Sequence, residues 1–295
     1  MNTARSATAS QAAAAAPASR ASRVAIPGVA SGEVIADVIE TGAGPTFTFL
    51  HGLVGLNQHW EGVVERVAGT VRCVSVELPL LELRGQDCSI QGVAELTERY
   101  LERHIEGPSV LVGNSFGGHV ALHIAHRRPE LVRGLVLAGS SGLIERTMVR
   151  GAPVRPSRDW LVEKIGELFF DKRHVSPGDI DRAHALLNSR GGARAMVRLS
   201  KTARRNHMGE HLSEIACPAL LVWGREDVVT PPSAAQGFLD LLPDARIAWI
   251  DKCGHAPMIE APGAFAEALL VFVAELDQRD AAAHRAARGA DRAQA

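Results

Sequence analysis

The chain has no hydrophobic run approaching the ~18 residues of a membrane-spanning helix; its clearest apolar stretches, Leu135 to Ala138 and Ala219 to Trp223, are strand-sized. Strong charge of either sign is also missing. A formal net charge of -1 over 295 residues supplies no basic field for nucleic acid and no acidic tail. Cysteine is sparse. Cys73, Cys88, Cys217 and Cys253 are scattered, with neither a C-x-x-C pair nor a metal-ligand spacing, and they read as reduced thiols of a cytoplasmic protein. What is present is ordinary globular material, 46% hydrophobic and 22% charged. The expected partner is a small-molecule substrate bound by a monomer or homodimer, with no cofactor.

The two ends are poor in core-forming residues. Residues 1–24 are rich in Ala and Ser, and alanine buries too little surface to offset its ordering entropy, so a disordered tail is expected there. Residues 278–295 mix Ala with Arg, Asp and His and read as a second tail, disordered or a frayed helix. Between them, short apolar strands alternate with helical periodicity. Strands are expected at 33–40, 46–50, 71–76, 109–113, 135–138, 219–223 and 246–250, and helices at 96–105, 116–127, 233–242 and 263–276. Short, nearly continuous apolar strands separated by helices imply a mostly parallel central sheet with helices on both faces, an α/β fold. The alternation stops over 143–212, which is Arg-rich and helical in period. It reads as a helical cap inserted between core segments 25–142 and 213–277, above the strand ends where such sheets bind ligands.

The segment Val110 to His119 carries the chemistry: an apolar strand, then Gly113-x-Ser115-x-Gly117, then a helix. A nucleophile on a sharp strand-to-helix turn needs small neighbours on both sides, and the helix N-terminus directs positive potential at a developing oxyanion. A serine hydroxyl needs a base, and the base an orienting carboxylate. Asp227 follows the 219–223 strand, and His255 follows the 246–250 strand, so three loops converge on one sheet edge. Glu226 and Asp251 compete for the acid role, and His51, His119, His123 and His126 for the base. His119 and His123 stand one helical turn apart, a spacing zinc sites use, but no H-E-x-x-H pattern accompanies them, and no metal is expected. His51-Gly52-Leu53 offers the second half of an oxyanion hole, with the backbone N–H groups of Leu53 and Phe116 as donors.

Taken in order, the His51-Gly52 loop with Trp60, the Gly-Asn-Ser115-Phe-Gly-Gly turn, the Gly-Arg-Glu-Asp227 turn and the Cys-Gly-His255 turn resemble the α/β-hydrolase superfamily over about residues 33–277. The resemblance implies Ser115, Asp227 and His255 as a catalytic triad, and a lid after the sixth strand. Gly-Asn-Ser-Phe-Gly-Gly and Lys-Cys-Gly-His are similar to the meta-cleavage product hydrolases, which cut carbon–carbon bonds. This chain departs from them in Ala256-Pro257, where they carry an aromatic residue. It also has His184 near the place of their lid arginine, with Arg182 close by. Where relatives often have Asp-x-Pro-Gly-x-Gly, it reads Glu77-Leu-Pro-Leu-Leu. The resulting expectation is a carboxylesterase. A carbon–carbon bond hydrolase, a lactonase and a non-catalytic binding protein are the alternatives. Trp160, Phe169, Phe170, Arg182 and Met258 are candidates to contact substrate, against the plainer reading that the lid aromatics pack its own core. The arginines at 146, 150, 155, 158, 204 and 205 favour either an acidic substrate or simple solvation.

Overall fold

The computed structural model describes residues 18–30, 32–144 and 155–294. Its strands are β1 (Ser19–Pro27), β2 (Glu33–Thr41), β3 (Thr46–Leu50), β4 (Arg72–Glu77), β5 (Ser109–Asn114), β6 (Val132–Ala138), β7 (Ala219–Gly224) and β8 (Ala245–Ile250). They form one sheet in the order β1-β2-β4-β3-β5-β6-β7-β8. β2 runs antiparallel to β1 and β4, and all other pairings are parallel. Composition follows position. β5 and β7 are buried along their whole length, as parallel strands covered on both faces must be. β2 near the sheet edge begins with strict exposed-buried alternation.

The helices are α1 (Glu61–Val67), α2 (Ile90–His104), α3 (Phe116–Arg127), α4 (Arg158–Gly166), α5 (Pro177–Asn188), α6 (Gly192–Arg205), α7 (Pro232–Leu241), α8 (Pro257–Glu260) and α9 (Pro262–Gln294). Side-chain alternation along the strands splits the core into two layers. Leu111, Leu135, Leu137, Leu221 and Trp223 pack with α2, α3 and α7. Val110, Val112, Val136, Leu220 and Val222 pack on the other face with α1 and α9. Each such side chain contributes about 1.5–3 kcal/mol of transfer free energy when buried.

Three features differ from expectation. The N-terminal tail ends earlier than residue 24, because Ser19–Pro27 pairs with β2 over nine residues and buries Ile26; residues 1–17 lie outside the described residues. Backbone ladder bonds, which are indifferent to side chain, order this Ser- and Arg-rich stretch. At the other end α9 continues as one helix past 277, where Arg133 reaches Asp277 and Asp280 and Arg279 reaches Asp244. Helix α1 was not foreseen; Val63 and Val67 bury its one apolar stripe.

Between β6 and β7 the described residues form α4, α5 and α6 and no strand. Ser157 and Ser176 cap α4 and α5 by accepting the N–H groups of Trp160 and Asp179. Leu161, Ile180 and Ala183 make a small core of their own, with Trp160 and Leu187 packed against it. Helix α6 instead presses Ala195, Leu199 and Ala203 into the main core. The inserted segment is therefore tied to the main core through α6, where the Thr202 hydroxyl oxygen also accepts Ile90 N–H at the start of α2.

Candidate active site

At the end of β5 the chain turns into α3 at Ser115, which has φ 54° and ψ −117°. This left-handed backbone costs a non-glycine residue on the order of 1–3 kcal/mol and persists only where the surroundings enforce it. Here Ser115 N–H donates to Ala138 O at 3.1 Å, and Ser115 O accepts from Ser141 N–H at 3.1 Å and from His119 N–H at 3.2 Å. The flanking glycines are sterically required. A Cβ on Gly117 would stand 2.3 Å from Leu50 O, and one on Gly113 would stand 2.5 Å from the Gly117 carbonyl carbon. Strand and helix can approach this closely only with hydrogen at both positions.

Asp227 and His255 meet beside this turn. His255 Nδ1 lies 2.9 Å from Asp227 Oδ2, and both residues are buried. The carboxylate is well satisfied. Oδ1 accepts the N–H groups of Val229 at 2.8 Å and Thr230 at 2.9 Å, and Oδ2 accepts the Thr230 hydroxyl at 2.7 Å. Burial pushes the Asp227 carboxyl up, but the His255 ring and the Thr230 donors outweigh it and hold the group below the usual carboxylate range. An ionised Asp227 at Nδ1 selects the tautomer whose Nε2 is free to accept a proton. The Asn114 amide donates to Ala138 O at 2.9 Å and to His255 O at 3.0 Å, joining the residue before Ser115 to the histidine loop. Gly139 adds the last constraint: a Cβ there would be 3.0 Å from both Asp227 Oδ2 and His255 Nδ1.

The loop after β3 closes the other side. His51 Nε2 accepts Leu78 N–H at 3.2 Å, so its Nδ1 carries the proton and donates to Gly52 O at 2.7 Å. Burial lowers the His51 pKa, which keeps that neutral tautomer. A tight turn follows, with Gly55 N–H on Gly52 O at 2.9 Å. Gly52 is packed against the elbow, since a Cβ on it would lie 3.4 Å from Ser115 Cβ. Leu53 directly follows Gly52. Phe116 is the first residue of α3, where an N–H has no helical partner by position.

The rival acids are engaged elsewhere. Glu226 accepts Cys253 N–H at 2.9 Å, and Asp251 pairs with Arg225 on the surface. Of the candidate substrate contacts, Trp160 packs among α4 and α5, and Phe169 and Met258 sit in the core layer below the histidine loop. Phe170 is half exposed. Arg182 donates to the carbonyls of Val54 at 2.8 Å and Gly55 at 3.1 Å and lines a cavity of about 120 Å³ with His51, Leu53 and Glu77. Ser115 is not on that cavity's wall. Arg158 pairs with Asp181, and Arg146 and Arg150 lie outside the described residues.

His119 and His123 stack at 5.0 Å, and His119 Nε2 bonds to Asn206 O at 3.0 Å. One group of described residues brings three metal-type donors together: His126, His211 and Glu214. Its two imidazole rings lie 4.5 Å apart with their planes tilted by 30°. His126 Nδ1 and His211 Nδ1 stand 3.5 Å and 3.7 Å from the Glu214 carboxylate. Thr230, Asn114 and Gly139 were not singled out from sequence, although Thr230 stands three residues after Asp227, a spacing at which a hydroxyl reaches back to a carboxylate.

Comparison with known proteins agrees with this architecture. A profile of the Alpha/beta hydrolase family matches residues 49–268. The chain is 29% identical over 248 residues to a pimeloyl-[acyl-carrier protein] methyl ester esterase of Nitrosomonas europaea, covering 76% of this chain and 94% of that one. It is 27% identical over 264 residues to the 2-hydroxy-6-oxo-6-(2'-aminophenyl)hexa-2,4-dienoic acid hydrolase of Metapseudomonas resinovorans, covering 83% and 89%. Among solved structures it resembles an alpha/beta hydrolase enzyme from the metagenome of Mar Chica lagoon sediments, with a TM-score of 0.68, 30% identity, and coverage of 82% and 96%. The strained serine and the buried histidine–aspartate pair thus stand on a matching fold, and the chain belongs to the alpha/beta hydrolase family.

Proposed function

We propose that the protein is a serine carboxylesterase with Ser115 as nucleophile, His255 as general base and acid, and Asp227 as the group that orients His255. The observation that carries this reading is the strained Ser115 turn bound to the same strand ends as the 2.9 Å His255–Asp227 pair. His255 Nε2 takes the Ser115 proton as Oγ attacks the ester carbonyl carbon. The tetrahedral oxyanion is met by the N–H groups of Leu53 and Phe116, each worth on the order of 3 kcal/mol in the transition state. The imidazolium, stabilised by Asp227, returns the proton to the leaving alkoxide and leaves an acyl-enzyme. Water activated by the same base then releases the acid. Helices α4 to α6 serve as a lid over this edge.

A second reading, hydrolysis of a carbon–carbon bond in a ring-fission dienone, is favoured by the 27% identity to the dienoic acid hydrolase of Metapseudomonas resinovorans. The test is a panel of p-nitrophenyl esters, a lactone and a ring-fission dienone, run on wild type and Ser115→Ala. Ester turnover by wild type, lost by on the order of 10⁴-fold or more in the variant, is the expected result. Ester turnover retained by Ser115→Ala would end the serine mechanism, and dienone turnover without ester cleavage would select the second reading.

A further inference from the structure

Between α4 and α5 runs an irregular stretch, residues 167–171, in which the N–H groups of Glu167, Leu168 and Phe169 turn back onto α4 carbonyls and the remaining backbone groups need partners elsewhere. Leu168 O and the N–H groups of Phe170 and Asp171 find theirs at the histidine loop and the helix that follows it. Leu168 O accepts His255 N–H at 2.7 Å. Glu260, the last residue of α8, accepts the N–H groups of Phe170 at 2.9 Å and Asp171 at 3.0 Å on Oε2. Its other oxygen, Oε1, accepts Gly254 N–H at 2.7 Å. One carboxylate therefore holds three backbone donors, two of them, Phe170 and Asp171, 90 and 89 residues from Glu260 in sequence. The fit is close: a Cβ on Gly254 would lie 2.6 Å from Leu168 O and 2.9 Å from Phe170 N. Phe169 pins the stretch from below, with its ring in the same core layer as Ala256 and Met258.

We infer that Glu260 is a positioning residue which locks the lid stretch 167–171 to the His255 loop, so that the histidine is held for catalysis only while that stretch is docked. The inference rests on His255 acting as the base of the proposed triad. The chemistry is specific to a carboxylate, because only an acceptor-only group can meet N–H donors on both sides. The amide of Glu260→Gln keeps one acceptor. Whichever way it turns, its NH₂ faces a backbone N–H, and the clamp opens on one side.

The test combines activity with amide hydrogen exchange. Each protein is titrated with a fluorophosphonate probe, so that kcat is expressed per reactive Ser115. For Glu260→Gln we expect kcat per labelled site to fall by about 10- to 100-fold with KM changed by less than about 3-fold, the pattern of a misplaced catalytic group. Exchange should quicken together in 168–171 and 252–256 while 109–114 stays protected. Glu260→Asp, a carboxylate one methylene shorter, should fall between the two and covers the case in which the glutamine variant does not fold. A kcat per labelled site within about 2-fold of wild type, with only lowered thermal stability, would overturn the inference. Faster exchange in one segment alone would also overturn it. If wild type cleaves no ester yet the paired exchange response appears, the clamp stands and the esterase reading falls.

Discussion

His119 and His123 show what burial does to single side chains in this protein. Burial, together with the neighbouring His123, pushes His119 down to about 3, and burial with nearby Arg127 pushes His123 down to about 4. Both start from 6.5 in the unfolded chain. The unfolded chain therefore binds more protons between pH 6.5 and these values, and stability falls as pH drops through that window. The slope is about 1.4 kcal/mol per pH unit for each ring. Asp227 acts lower down: its depressed folded pKa contributes stability that is lost only as pH falls below the unfolded value of 3.8. Among the described residues, the buried His123 Nε2 meets no hydrogen-bond partner. Replacing it with leucine removes both the proton and the unsatisfied atom. We expect His123→Leu to leave stability at pH 7 within about 1 kcal/mol of wild type. Urea unfolding from pH 6 to 4.5 should then show a slope reduced by one proton. An unchanged slope would assign the acid sensitivity to other groups.

The element that matters most to the site is α3, which carries Ser115 at its N-terminus and crosses β3 and β5 at backbone contact. Gly117 permits that crossing, since its Cβ would meet Leu50 O at 2.3 Å and His51 O at 2.8 Å. Neither oxygen can move without breaking the β3 end that leads into the Gly52 turn. Gly117→Ala should cost about 3 kcal/mol or more by denaturant unfolding and abolish activity. Gly69→Ala is the control, because among the described residues nothing beyond its chain neighbours lies within 4 Å of its Cβ position and its φ is outside the left-handed range. It should stay within about 0.5 kcal/mol of wild type. Equal effects at the two glycines would mean that α3 can shift its seat, contrary to the contact geometry.

At the scale of the whole molecule, stability comes from the two core layers without covalent cross-links. All four cysteines are free, and Cys73, Cys88 and Cys253 are buried. Burial pushes the Cys73 and Cys217 thiols up to about 12, and burial also raises Cys88 and Cys253. The thiolate is the reactive form, so a disulfide-type thiol reagent at pH 8 should modify the native protein no faster than it unfolds. In strong denaturant the same reagent should count four thiols at once. Reaction of a native thiol within seconds would show that part of the core opens locally. Reductant should leave the unfolding midpoint unchanged.

The sequence alone determined what depends on neighbours along the chain. Strand, Gly113-Asn114-Ser115-Phe116-Gly117 and helix are contiguous, so the turn that strains Ser115 could be read directly. The parallel strands were equally plain, because burial on both faces demands unbroken apolar runs. Asp227 and His255 were reachable because each follows such a strand. Strand β1 and helix α1 escaped notice because one is ordered by backbone pairing and the other by a two-residue stripe. Which carboxylate faces His255, Asp227 rather than Glu226 or Asp251, was decided by tertiary structure. So was the burial of Phe169 and Met258 in the core, the turning of Arg182 onto the Val54 and Gly55 carbonyls, and the gathering of three N–H groups on Glu260. Those outcomes depend on segments far apart in the chain being brought to hydrogen-bond distance, and only the packed sheet and its helices set that distance.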